Sequence, residues 1–165
     1  MGDLVIRIVT IGVYGFDAEY FLQRLRHADV GLLLDVRQRR AVRGPDYVWA
    51  NARRLQAALA RAGIAYEHHL ELAPTTELRQ VQYAEDRRQG VGKRSRRDLA
   101  AEYTRRYSTE ILDRADLAPI ASALSGGGVA ALFCVERDPQ ACHRSLIAQR
   151  LAEQHGATVE HLRPL

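Results

Sequence analysis

Apolar residues gather in five short runs along this chain, and the segments between the runs carry helical spacing. Residues 4–11 alternate as a first strand and end in Thr10-Ile11-Gly12. Residues 30–36 form a second, almost unbroken run that breaks off at Asp35-Val36-Arg37, and the sudden change from core to charge marks a strand's carboxyl end. Residues 64–70 read as a third strand and 157–162 as a last short one. The fourth run, Gly128-Val129-Ala130-Ala131-Leu132-Phe133, is apolar at every position and bounded by glycines, as a strand buried on both faces would be. It leads into Cys134-Val135-Glu136 and then Asp138-Pro139.

Helix signals fill the gaps. Asp17 predicts an N-cap, with Phe16 and Phe21 placed as a hydrophobic staple and Leu22 and Leu25 continuing the buried face. Leu55 and Leu59 predict a helix over 48–62 that Gly63 stops. Thr76 is a candidate cap for a helix through residue 88, and Leu99, Tyr103, Tyr107 and Ile111 recur every four residues on one helix face. A short helix is expected over 118–124. Asp138 as cap with Pro139 in the first position predicts a final helix whose apolar stripe is Leu146, Ile147 and Leu151, closed by Gly156. Strands alternating with helices imply βαβ crossovers. The expectation is a three-layer α/β fold, one domain over residues 1–165, with a mainly parallel sheet of about five strands. The mostly helical, charged stretch 75–127 reads as an insertion or cap near the sheet's ligand edge.

At 165 residues, nearly half of them apolar, the chain can bury a core without disulfide staples. The opening residues go straight into a strand pattern, so no signal peptide is expected, and no apolar run approaches the roughly 20 residues that span a bilayer. A cytoplasmic protein with no membrane partner is expected, and its two cysteines should be free thiols. The net charge of +4 favours an anionic partner, and the basic residues cluster. Residues 37–54 hold six arginines against Asp46 alone, and residues 87–97 hold six basic residues with no acid. With Tyr47, Trp49, Tyr83 and Tyr103 near these stretches, phosphate contact plus base stacking is one reading and solvated helix faces the other.

Candidate chemistry concentrates where strands two and four end. Glu136, at the end of a buried strand, is the best candidate general acid or base, and Asp35 would stand beside it as a second carboxylate. Arg37, Arg43 and Arg144 could hold an anion; purely structural ion pairs, Arg37 with Asp35 and Arg144 with Glu136 or Asp138, are the alternative. Thr10, Gly12, Tyr107, Cys134, Cys142 and His143 are the remaining candidates for lining the site. Cys142 is expected one turn inside the last helix, as a small hydrophobe rather than a nucleophile. Seven residues separate the cysteines and no Cys-x-x-Cys pair is present, so no metal and no cofactor is expected.

Several of these pieces together resemble the bacterial and archaeal family called domain of unknown function 488: Thr10-Ile11-Gly12, Asp35-Val36-Arg37, Gly63-Ile64-Ala65-Tyr66, residues 103–107, and Cys134-Val135-Glu136 through Pro139 to Cys142-His143-Arg144. The resemblance covers nearly the whole chain and implies the α/β fold and the same residue cluster. After Asp35-Val36-Arg37 the family commonly has proline and then Ser-Arg, where this chain has Arg40 and Val42-Arg43. The functional expectation is an enzyme with hydrolase-like acid/base chemistry on a phosphate-bearing substrate, nucleotide or nucleic acid. A non-catalytic nucleotide or nucleic-acid binder, or a thiol- or metal-dependent protein, are the alternatives.

Overall fold

The computed structural model describes residues 5–165, so Leu4, at the start of the first predicted strand, lies outside the described residues. Five strands form one parallel sheet: β1 (Arg7–Ile11), β2 (Val30–Asp35), β3 (Ala65–His68), β4 (Val129–Phe133) and β5 (Thr158–Leu162), in the order β3-β2-β4-β1-β5. The apolar fourth run is the central strand, buried at all of its positions because β2 and β1 flank it and helices cover both faces of the sheet.

Strand order dictates where a crevice opens. From β1 the chain passes through α1 (Ala18–His27) to β2, and from β2 through α2 (Ala52–Arg61) to β3, moving each time toward the β3 edge. From β4 it passes through α6 (Arg144–His155) to β5, toward the opposite edge. Right-handed crossovers therefore put α1 and α2 on one face and α6 on the other. The connections leaving the adjacent strands β2 and β4 diverge, and the gap between their carboxyl ends is the switch point where open α/β sheets bind ligands.

Between β3 and β4 run α3 (Thr76–Gln89), α4 (Ala101–Glu110) and α5 (Ala118–Leu124). Thr75 rather than Thr76 caps α3, accepting from the Leu78 amide at 3.2 Å. Asp17 caps α1 through the Tyr20 amide at 2.8 Å, and Phe16 meets Phe21 edge to face at 5.9 Å, as the staple pattern anticipates. The chain between α3 and α4 carries Lys93, Arg94 and Arg96 and lies over the gap between β2 and β4. Among the described residues, no helix is long and apolar enough to cross a membrane.

Two features differ from the sequence expectation in ways that matter for the site. Asp138 and Pro139 start only a 3-10 turn, Pro139–Ala141, because Cys142 is extended (φ −139°, ψ 144°) and breaks it. The true helix starts at Arg144, so Cys142 precedes α6 instead of sitting one turn inside it. Arg144 also makes no ion pair with Glu136 or Asp138. Its guanidinium donates to the main-chain carbonyls of Glu136 at 2.6 Å and Arg137 at 3.2 Å, tying down the loop that carries the Glu136 side chain.

The chain leaving β1 crosses that same loop, with the Val13 and Tyr14 amides donating to the Val135 carbonyl at 2.9 and 3.2 Å. A Cβ on Gly12 would stand 2.0 Å from the Glu136 carbonyl oxygen, closer than any real contact. Gly12→Ala is therefore expected to push the two loops apart and cost roughly 1–3 kcal/mol, the usual range for overpacking, read as a lowered urea midpoint. An unchanged midpoint would mean that the crossing is looser than the geometry shows.

Candidate functional site

A cavity of about 700 Å³ occupies the gap between the β2 and β4 ends. Its wall is one-sided in charge. Arg37, Arg39, Arg43, Arg79, Lys93, Arg94 and Arg96 line it, and among the described residues Glu136 is the sole lining carboxylate. Two of these cations are already neutralised. Arg37, fully inside the protein, forks onto Asp35 with two contacts of 2.9 Å. Arg96 forks onto the buried Asp86, at 3.0 Å through Nε and 2.6 Å through Nη2, and reaches Glu136 Oε1 at 3.2 Å. Among the described residues, Arg39, Arg43, Arg79, Lys93 and Arg94 have no ion-pair partner. Arg94 instead lies over the rings of Tyr14 and Tyr47, 5.1 and 5.2 Å from their centroids, which fixes it at the rim.

The floor is built by the end of β4 and the start of α6. Glu136, Cys134, Cys142 and His143 are all buried and all line the cavity. The His143 Nδ1 atom sits 3.8 Å from both sulfurs, and Cys134 Sγ is 3.7 Å from Glu136 Oε2. His143 Nε2 is 2.8 Å from the Val36 carbonyl oxygen, which can only accept, so Nε2 carries a proton. The Tyr107 ring packs 5.5 Å from the His143 ring and donates its hydroxyl to the Leu72 carbonyl at 2.6 Å.

Packing these groups together shifts their proton affinities. Burial raises the Glu136 carboxyl, as does a negative Cys142, and Lys93 and Arg96 only partly offset them. Burial also pushes the Cys142 thiol up, but hydrogen bonding from Cys134 and the charges of His143 and Arg144 outweigh it and hold Cys142 well below the usual thiol range. The Cys134 thiol moves the opposite way, driven well up by burial and by its neighbour Cys142. Burial would lower His143 and Lys93, yet both are raised, the first chiefly by Cys142 and the second chiefly by Glu136. Buried titratable groups with displaced proton affinities gather at active sites and also in structural ion-pair networks; this cluster opens to a cavity.

The sequence signature of a domain of unknown function, DUF488, matches residues 17–151, from the α1 cap to the last turns of α6. The chain belongs to this family. No curated protein and no solved structure matches it. In this DUF488 chain the matched span contains every predicted site residue except Thr10 and Gly12.

The structure sorts those predicted residues into two groups. Glu136, Cys134, Cys142, His143, Arg37 and Arg43 line the cavity. Asp35 does not: it is buried behind Arg37, and it also accepts the Tyr66 hydroxyl at 2.6 Å, so its oxygens serve to anchor the β2 end. Thr10 bonds His161 on the neighbouring β5 at 2.7 Å, Gly12 acts through its backbone, and Arg144 and Tyr107 support the floor from behind. Arg96, Lys93 and Tyr103 also line the cavity; sequence reasoning offers them for phosphate contact and base stacking but does not join them to Glu136. The acid-free basic run at 87–97 is the available signal, but nothing local tells that it folds back onto Glu136, 40 positions from Arg96.

Proposed function

We propose that this DUF488 protein is an enzyme acting on a phosphate-bearing substrate, a nucleotide or nucleic acid, with Glu136 as its acid/base group. The observation that supports this reading most is the lone carboxylate at the floor of a cavity whose rim carries, among the described residues, five cations free of acid partners. Lys93, Arg94, Arg39, Arg43 and Arg79 would neutralise phosphate oxygens, and Tyr14, Tyr83 and Tyr103, which already meet Arg94, Arg79 and Tyr107 on one face, would offer a base the other. A volume of about 700 Å³ is within the usual range for small-ligand sites. Glu136, held by Arg96 at 3.2 Å, would take a proton from an attacking water or hydroxyl. Arg96 and Lys93 stand close enough to stabilise negative charge as it develops.

The test is a binding and turnover screen over nucleotides and over single- and double-stranded oligonucleotides at low salt. Affinity for the best ligand should fall as salt rises, and Arg94→Ala should weaken it and reduce the salt slope by about one unit for each phosphate that Arg94 engages. If nothing phosphate-bearing binds at low salt, or if binding ignores both salt and Arg94→Ala, the reading fails.

A further inference from the structure

Within the cavity floor, three side chains not required for phosphate recognition converge in a way their spacing in sequence conceals. The sulfurs of Cys134 and Cys142 and a ring nitrogen of His143 all lie within 4.8 Å of one another. From this juxtaposition we infer that Cys134, Cys142 and His143 form a binding site for a single zinc-class metal ion, with a fourth coordination position opening into the cavity beside Glu136.

Three geometric observations carry the site. A tetrahedral zinc with Zn–S near 2.3 Å and Zn–N near 2.0–2.1 Å holds each sulfur about 3.5 Å from the nitrogen. Both sulfurs here are 3.8 Å from Nδ1, so those two distances need to shorten by only a few tenths of an ångström, and the sulfurs, within 4.8 Å of each other, need to come to the roughly 3.8 Å of two thiolates on one tetrahedral ion. Second, His143 presents the correct atom. Its Nε2–H is taken by the Val36 carbonyl, so Nδ1 is the atom facing the two sulfurs and, in the neutral ring that a metal requires, carries the free lone pair; an outer-shell carbonyl fixing the ring is the usual support of a metal-bound histidine. Third, the donors are held by different parts of the fold: Cys134 by the end of the central strand, Cys142 by the extended residue after the 3-10 turn, and His143 at the cap of α6, with Tyr107 against its ring.

The donor chemistry selects the metal. Two thiolates and a neutral imidazole suit zinc and related soft divalent ions, and exclude magnesium or calcium, which take oxygen ligands. Three protein ligands facing a cavity match the pattern of sites that keep one position for water or substrate, whereas purely structural zinc sites close all four. Glu136 Oε2, 3.7 Å from Cys134 Sγ, stands beside that open position, as a neighbour rather than a ligand. The spacing of seven residues between the cysteines, which argues against a metal in the sequence, constrains only ligands carried on one local hairpin or knuckle. Here a strand end and a helix start supply them. The site stands on this geometry and does not depend on the phosphate reading.

The test uses the full chain, expressed without a histidine tag and kept reduced with a non-thiol reductant. Elemental analysis should find zinc at about one equivalent, or the apoprotein should take up one equivalent of Zn²⁺ or Co²⁺. The Co²⁺ form should show thiolate-to-cobalt charge-transfer absorption with the strong visible bands of tetrahedral cobalt. Cys134→Ser, Cys142→Ser and His143→Gln should each weaken zinc by more than the roughly 10–100-fold that loss of an outer-shell partner costs. Each serine variant should also lose about half of the charge-transfer intensity. Glu136→Gln should still bind metal, so loss of turnover in that variant with the cobalt spectrum intact separates the acid/base role from the metal site. If a serine variant fails to fold, the wild-type cobalt spectrum decides alone. Less than one tenth of an equivalent of metal, or weak octahedral cobalt bands without charge transfer, would each overturn the inference.

Discussion

On the proposed phosphate-bearing substrate, Glu136→Gln is expected to lower turnover by roughly 10²–10⁴-fold, the range that acid/base catalysis contributes. The amide keeps the shape of the carboxylate and can still accept from Arg96, whose fork onto Asp86 is untouched, so the melting temperature should change little. Affinity for the proposed anionic ligand should hold or rise slightly, since the substitution removes the one lining carboxylate among the described residues. Steady-state kinetics, an equilibrium titration and a thermal melt on the same preparation check all three. A protein that melts several degrees lower, with unchanged activity per folded molecule, would give Glu136 a structural role. Unchanged binding with no turnover in the wild type on any phosphate-bearing compound would leave a binding module.

Asp35→Ala is expected to have the largest effect on stability. It would leave the buried Arg37 guanidinium with the Ala50 carbonyl, at 2.9 Å, as its one hydrogen-bond acceptor among the described residues, beside the Phe133 ring at 4.6 Å, and would strip the Tyr66 hydroxyl of its acceptor. Breaking a buried pair by removing one member costs about 3–5 kcal/mol, far more than the pair contributes over an apolar replacement. Urea unfolding should show a loss of that size. The end of β2 would loosen with it, because the Arg37 carbonyl meets His68 Nε2 at 2.8 Å across the sheet edge. A loss below about 1 kcal/mol, the scale of an exposed ion pair, combined with abolished turnover would return Asp35 to the chemistry.

These two carboxylates show how far the sequence can be read. Both are legible as residues at strand ends, since an apolar run that stops at a charge marks the edge of the core whatever the tertiary details. Which of them faces the cavity is not legible. Asp35 turns inward to a partner two residues away, and Glu136 outward to a partner 40 residues away, and neither local propensity nor spacing carries that information. Five strands and their order of appearance follow from apolar periodicity, but the spatial order β3-β2-β4-β1-β5, which alone locates the crevice, is a property of pairing between distant segments. At Asp138-Pro139 the local helix signal is real and produces one turn. The extended Cys142 then resets the chain, and that single residue's conformation is what brings its sulfur toward Cys134 and His143. The basic run around Lys93 is visible in the sequence as charge, while its position over Glu136 comes only with the fold.

Phosphate recognition at the β2/β4 crevice is tested most directly by backbone amide shifts of labelled protein during titration with a phosphorylated single-stranded oligonucleotide at low salt. Saturable shifts should centre on Lys93, Arg94, Ser95, Glu136 and Cys142, and should weaken as salt is added. No shift at these amides, or shifts confined to the separate apolar groove lined by Phe21, Trp49 and Leu55, would contradict the site.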